Sequence, residues 1–116
     1  MSGPEVKPQT TAEPTIAAIQ VAVCGEFALP MRDLLGERRS RHLARPRQIG
    51  MWLAVKMTSR SWSVIARQFG RDRSTLYTAI EVIDHCIFEC DAWGRAALAL
   101  QRRLGADERQ TDLVGV

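Results

Sequence analysis

A single glycine separates two short helical patterns, and this arrangement constrains the fold more than any other feature of the chain. Residues 62–69 have apolar side chains at helical spacing, and Ser61 can cap the start of this helix. Gly70 then ends it, since glycine adopts the left-handed conformation of a helix C-terminus without steric cost. Asp72 or Ser74 can cap a second helix, whose inward residues are Leu76, Ala79, Ile80, Ile83 and Ile87. Two helices joined by so short a turn predict a helix-turn-helix.

Three further patterns precede this pair. An apolar helical stretch opens after Pro14, Pro30 stops or restarts it, and Met31–Leu35 is a short helical turn. Segment 36–45 is polar and basic and predicts a loop. Pro46 suits the first turn of the next helix, because a proline there loses no helical hydrogen bond.

A weaker helical pattern follows the pair, after a break near Gly94, and Gly105 stops it. No segment alternates polar and apolar residues for long enough to predict a strand. The class is therefore all-α, with five to six helices. We expect three parts: a disordered leader (1–13), a folded domain (14–105) and a flexible tail (106–116).

Positive charge is concentrated in one third of the sequence. The whole chain has a net charge of +3, and fourteen of its sixteen cations are arginines. Residues 36–75 hold ten cations against two acids, a net charge of +8. Arginine forks onto phosphates and guanine edges, so this concentration favours a polyanionic partner over an ordinary solvated face.

Several function classes are excluded by what the sequence lacks. No apolar run approaches the roughly 18 residues of a membrane span, and no secretory signal is present. No glycine-rich phosphate-binding motif, paired carboxylates or activated nucleophile is found. We therefore expect no enzyme activity, no cofactor and no membrane partner.

The three cysteines give a weak signal. The chain has three cysteines, Cys24, Cys86 and Cys90, and an odd number cannot all form disulfides within one chain. Since there is no secretory signal, the simpler interpretation is that the protein works in the reducing cytoplasm. Cys86 and Cys90 share a helical face beside His85, but a metal needs four such ligands, or three and water. Small buried cysteines are the more common case, and we predict no metal site.

The second helix of the pair starts with side chains suited to DNA. Asp72, Arg73, Ser74 and Thr75 project from its N-terminus, the part of a helix-turn-helix that meets base edges in the major groove. The free N–H groups of its first turn also favour an anion. An ordinary helical hairpin is the alternative, and the flanking arginines favour DNA.

Residues 15–104 resemble the C-terminal DNA-binding domain of the bacterial replication initiator DnaA. That family has a basic loop, a helix starting Ala-Arg-Pro-Arg-Gln, and a Phe-Gly-Gly-Arg-Asp-His-Thr-Thr turn and recognition helix. The matches here are Arg38-Arg39-Ser40-Arg41, Ala44-Arg45-Pro46-Arg47-Gln48, Thr58, Phe69-Gly70-Arg71-Asp72 and Ser74-Thr75.

The resemblance implies an all-α fold similar to the Trp repressor arrangement, and sequence-specific binding to duplex DNA. In the family the basic loop reaches the minor groove while the recognition helix reads the major groove. The resemblance thus implies that Arg39 contacts the minor groove and that Arg41 and Arg45 lie near phosphates of the DNA backbone. The full set of expected DNA-binding residues is Arg38, Arg39, Arg41, Arg45, Arg47, Lys56, Arg71, Asp72, Arg73, Ser74 and Thr75.

The chain departs from the family pattern at three places. One glycine is missing between Phe69 and Arg71, which could re-aim the recognition helix. Arg73 stands where the family usually has His. Val55 stands where the family has Lys or Arg, and Lys56, one place later, faces another direction because each helical residue turns about 100°. The preferred DNA sequence could therefore differ from the initiator box.

We therefore predict a regulator of replication initiation or transcription, which binds double-stranded DNA at initiator-box-like or diverged sites. The replication initiator itself, or another protein, is a second expected partner. The chain has no room for the initiator's ATPase domain, so it is either a domain cut from a longer protein or a free-standing protein. We expect a free-standing protein of the cytoplasm and nucleoid. The alternative is a protein-interaction module that kept the fold and lost DNA affinity.

Overall fold

One long helix lies at the centre of the six α-helices in the part of the chain that the structure describes. The computed structural model describes residues 13–37 and 40–115, and no strand occurs among them. The helices are α1 (Ile16–Phe27), α2 (Met31–Leu35), α3 (Arg41–Met57), α4 (Trp62–Gln68), α5 (Arg73–Phe88) and α6 (Ala92–Gly115). Helix α3 packs against each of the other five. The prediction of an all-α fold with five to six helices is confirmed.

The core is built around α3, which is buried on several sides. Its buried apolar side chains are Leu43, Ile49, Met51, Trp52, Leu53 and Ala54. Ile65 of α4, Phe69 at the C-cap of α4 and Leu76 of α5 join the same core, so the helix-turn-helix pair is fixed to α3. Gly50 allows this contact, because a Cβ there would lie 2.9 Å from the ring of Phe69.

The start of α3 differs from the sequence prediction. The predicted loop (36–45) ends at Ser40, and Arg41 already belongs to the helix. Leu43 explains the difference, since its fully buried side chain draws the chain into the core. Pro46 consequently lies in the second turn, where its missing N–H leaves the carbonyl of exposed His42 without a helical partner.

The predicted helix starts at Thr15 and Ser61 are confirmed. The Thr15 hydroxyl accepts from the backbone N–H of Ala18 at 3.0 Å, and the Ser61 hydroxyl accepts from that of Val64 at 3.2 Å. Both serve as N-caps, which satisfy N–H groups that have no partner within the helix.

The break between α5 and α6 lies at Cys90, not near Gly94 as predicted. Cys90 adopts a left-handed φ of 57°, and the Asp91 N–H donates to the Cys86 carbonyl at 3.1 Å. The Asp91 carboxylate then caps α6 by accepting from the Gly94 N–H, and this bond is the main reason that its pKa is lowered. Gly94 is needed for close packing: a Cβ there would lie 2.4 Å from the Cys86 carbonyl oxygen.

The ends of the folded domain are only partly tested. The predicted helix stop at Gly105 is wrong, since α6 continues to Gly115. The flexibility of the tail (106–116) stays a prediction. The predicted disordered leader (1–13) lies outside the described residues except for Glu13, whose carboxylate accepts from the Ser59 N–H at 3.1 Å.

We expect Gly94→Ala to destabilise the fold by about 1–3 kcal/mol, because the added methyl group would force α5 and α6 apart. Thermal and urea unfolding followed by circular dichroism would measure this change. Gly25→Ala is the matched control: Gly25 is a helical glycine with nothing within 4 Å of a Cβ, so alanine there should stabilise by about 0.5–1 kcal/mol. Equal effects at the two positions would contradict the packing role of Gly94.

Candidate nucleic-acid interface

The turn between α4 and α5 needs only one glycine. Gly70 has a φ of 66°, its N–H donates to the Arg67 carbonyl at 3.0 Å, and the Arg71 N–H donates to the Ala66 carbonyl at 2.9 Å. These two bonds form a complete Schellman motif, which satisfies the last carbonyls of α4. Asp72 then occupies the N-cap position of α5 without a side-chain cap bond.

The first turn of α5 presents the predicted base-facing residues to solvent. Asp72, Arg73 and Ser74 are exposed, whereas Thr75 is half-buried. The start of a helix has N–H groups without helical partners and a partial positive charge. This end of α5 therefore combines a guanidinium, hydroxyls and backbone donors, all of which can bind an anion or a base edge.

Arg41 lies beside this end of α5. Arg41, Gln48 and Thr75 line one shallow depression, together with Ser40, Ala44, Arg47, Met51 and Arg71. The N-terminal part of α3 and the N-terminus of α5 thus form one continuous surface. Arg41 is exposed on it, as a phosphate contact would require.

The structure does not fit the prediction that Arg47 contacts DNA. Arg47 is only 7% exposed. Its guanidinium donates to the carbonyls of Leu34 (2.9 Å), Asp33 (2.6 Å) and Gly36 (2.9 Å). Burial lowers its pKa, and the neighbouring charge of Arg71 adds to this effect. Arg47 therefore fixes the end of α2 to α3.

The guanidinium of Arg71 also donates hydrogen bonds to backbone carbonyls. Its Nη2 atom donates to the Gly36 carbonyl at 2.8 Å, and its Nη1 atom donates to the Gly70 carbonyl at 3.1 Å. Gly36 therefore accepts from Arg47 and Arg71 together. This shared carbonyl fixes the chain just before Arg38 and Arg39, and those two predicted contacts lie outside the described residues.

Arg45 does not line the depression that Arg41 and Thr75 share. Arg45 is half-buried, donates to Gln48 Oε1 at 2.9 Å, and places its charge near the Cys86 thiol and the Asp91 carboxylate. Burial is the largest influence on Cys86 and raises its pKa overall. Arg45 therefore faces the corner between α5 and α6.

Lys56 lies at the other end of α3. Its Nζ atom is 5.9 Å from the ring centroid of Trp52, whose indole N–H donates to Asp84 at 2.8 Å. Asp84 is eleven residues after Arg73, or roughly 16 Å along the helix axis. Lys56 is therefore not brought together with the recognition turn.

Sequence reasoning missed an aromatic pair on the helix-turn-helix. Tyr77 of α5 is 54% exposed, and its ring centroid lies 4.7 Å from that of Trp62 in α4. The sequence did contain a sign that Tyr77 lies near the predicted base-facing residues. It follows Arg73 by four residues and Ser74 by three, which places all three on one helical face.

A family model described as the bacterial DnaA protein helix-turn-helix matches residues 16–83. The chain belongs to this family. It is 42% identical over 91 residues to the chromosomal replication initiator protein DnaA of Caulobacter vibrioides, an alignment that covers 78% of this chain and 19% of the relative. The DnaA of Sphingopyxis alaskensis is 45% identical over 71 residues, covering 60% of this chain and 16% of that protein.

A more distant relative is aligned over a longer part of the chain. The DnaA of Thermoanaerobacter pseudethanolicus is 32% identical over 100 residues, which cover 86% of this chain and 23% of that protein. The chain thus spans about a fifth of the length of these curated relatives. It is a DnaA-like helix-turn-helix DNA-binding domain. Within the described residues, no helix is long and apolar enough to cross a membrane, and no three His, Cys, Asp or Glu side chains are grouped to hold a metal.

We expect Arg47→Ala to lower the free energy of unfolding by about 2–4 kcal/mol, because the carbonyls of the α2 end would lose a charged donor. Arg47→Lys should recover only part of this loss, since an ammonium cannot reproduce the planar fork. Urea unfolding would measure both. Exposed Arg67→Ala on α4 is the control and should change stability by less than about 0.5 kcal/mol. An unchanged midpoint for Arg47→Ala would contradict the structural role.

Proposed function

We propose that this domain binds duplex DNA sequence-specifically, at initiator-box-like or diverged sites, and regulates replication initiation or transcription. One observation carries the proposal: Arg41 of α3 and Thr75 in the first turn of α5 line the same depression, and Arg73 and Ser74 of that turn are exposed. Side chains that can read bases thus stand next to a cation that can bind phosphate.

In this proposal the N-terminus of α5 enters the major groove. Arg41 lies beside the DNA backbone, and the segment with Arg38 and Arg39 reaches the adjacent minor groove. The carbonyl of Gly36 supports this arrangement, because its two arginine donors hold the start of that segment beside the turn. The net charge of +8 over residues 36–75 supplies the attraction that does not depend on sequence.

The regulatory part of the proposal rests on the relatives. Each is named as a chromosomal replication initiator, and a domain that recognises related DNA could compete with such a protein at its sites or act at promoters. Association with the nucleoid would follow from binding DNA. Selection of bound sequences from a random duplex pool tests the proposal directly: an enriched motif supports it, and no enrichment contradicts it and favours a protein-interaction module.

We expect binding to weaken steeply with salt. Four to six contacts between cations and phosphates would give a slope of about −4 to −5 when the logarithm of the association constant is plotted against that of the salt concentration. Fluorescence anisotropy with a labelled duplex would measure this slope. A flat dependence would remove the electrostatic part of the proposal.

Substitutions at two positions should separate base reading from phosphate binding. Arg73→Ala should lower the preference for specific over random duplex by about 1–3 kcal/mol, because Arg73 can fork onto guanine O6 and N7. Arg41→Ala should weaken binding to the specific and the random duplex to a similar extent, since contacts to phosphates carry no sequence information.

Arg73→His should shift the selected motif toward the family's own box, since His is the residue that the family usually has at this position. The measurement is a repeat of the selection with each variant. An unchanged motif for both Arg73 variants would mean that Arg73 contacts phosphate or solvent.

A further inference from the structure

An open cleft lies between the start of α3 and the start of α6. Its volume is about 640 Å³, within the range of about 300–1,000 Å³ that is typical of small-molecule sites. The residues that line it are Arg41, His42, Ala44, Arg45 and Trp93. Two guanidiniums, an imidazole and an indole therefore border one space, and no carboxylate of the described residues lines it.

Trp93 gives the cleft an aromatic wall that is held in place. Its ring centroid lies 5.6 Å from that of Phe27, the last residue of α1, and the two rings are tilted by 45°. Trp93 is half-buried, so part of its surface stays open on the side of the cleft. An indole supported in this way can stack on a flat ring with little loss of conformational freedom.

Arg45 gives the cleft a group that binds anions. Its Nη1 atom donates to Gln48 Oε1 at 2.9 Å, which orients the guanidinium. Its Nε–H is buried and has no hydrogen-bond partner among the described residues. Buried donors are nearly always paired, so an unpaired donor on a residue that lines a cleft indicates an acceptor that binds there. Carboxylates and phosphates are the acceptors that fit an arginine best, because they take two parallel hydrogen bonds.

The charge around the cleft also suits an anion. Arg41 and His42 are exposed beside Arg45. Asp91 is a carboxylate near Arg45, but it accepts from the Gly94 N–H at 2.8 Å and does not line the cleft. The lining therefore favours a ligand that has negative charge as well as a flat ring.

We propose that this cleft binds a small molecule that joins an aromatic ring to a phosphate or carboxylate, and that the bound molecule weakens the affinity for DNA. Trp93 stacks on the ring, and Arg45 and Arg41 bind the anionic group. Arg41 also lines the depression at the start of α5, so the molecule engages a guanidinium of the DNA-facing surface and brings negative charge next to it. The binding site stands independently, whereas the effect on DNA rests on the proposed function.

Isothermal titration calorimetry of the DNA-free domain tests the site. The probes are adenosine monophosphate and indole-3-acetate, which carry the two kinds of anion on a flat ring. Inorganic phosphate and acetate lack the ring, and adenosine and indole lack the anion. At least one ringed anion should bind with a dissociation constant below about 1 mM, and its two counterparts should bind about ten-fold more weakly or worse. No binding of either ringed anion, or equal binding of a counterpart, overturns the inference.

Variants test whether the ligand lies in the cleft. Arg45→Ala should lower the affinity by about ten-fold, because hydrogen bonds to a charged group are lost. Trp93→Leu should lower it by about five-fold, since leucine fills space without a stacking face, and Trp93→Phe should recover most of this loss. An affinity like that of the wild type in Arg45→Ala or Trp93→Leu overturns the inference. Circular dichroism of each variant checks that the helices are retained.

Two further arginine variants control for charge and for position. Arg102→Ala removes the same charge from an exposed position of α6 and should bind the ligand as the wild type does. A loss as large as that in Arg45→Ala would mean that charge acts from any position, which overturns the inference. The same loss in Arg73→Ala would place the anion at the start of α5 and would also overturn it.

Anisotropy of a labelled duplex at constant ionic strength tests the effect on DNA. A saturating concentration of the ringed anion should weaken duplex binding by about five-fold, and its ring-less counterpart should act much less. Arg45→Ala should abolish the effect. An unchanged affinity for duplex in the wild type overturns the effect on DNA. If no duplex binds under any condition, the proposed function fails together with this effect, while the titration of the DNA-free domain still decides the site.

Discussion

The Gly36 carbonyl, which accepts from both Arg47 and Arg71, is the interaction on which the geometry of the interface depends. Arg47 comes from the central helix α3 and Arg71 from the turn before α5. Their common acceptor lies at the end of α2, just before the arginine-rich segment. One carbonyl therefore joins α3, the turn before α5 and the end of α2 at a single point.

This interaction divides the arginines into two groups. Arg47 is buried and uses its guanidinium to hold backbone carbonyls, and Arg71 uses part of its own in the same way. Arg41 and Arg73 remain exposed on the surface around the start of α5. A count of positive charge in the sequence thus overstates the number of cations that are exposed around the start of α5.

The sequence predicted the helix-turn-helix well because local rules determine it. Gly70 and Ser61 act through the backbone of their own turns, so spacing alone is enough to find them. Arg47 could not be assigned in this way, because its partners are carbonyls 11 to 14 residues earlier in the chain. Gly94 was misread for a similar reason: it serves the packing of α6 against Cys86, and a lone glycine gives no sign of such a contact.

Two charges on α5 oppose the dipole of the helix, whereas Asp72 at the N-cap agrees with it. Arg73 lies in its first turn, where the dipole disfavours a cation, and Glu89 lies at the C-cap, where it disfavours an anion. The Nε2 atom of His85 lies 3.9 Å from the Glu89 carboxylate, and both side chains are exposed. Each misplaced charge costs about 0.3–1 kcal/mol of stability. Stability alone would favour the opposite arrangement. In the proposed function a DNA duplex at the N-terminus of α5 offsets the cost at Arg73, because its negative charge then faces both Arg73 and the positive end of the dipole.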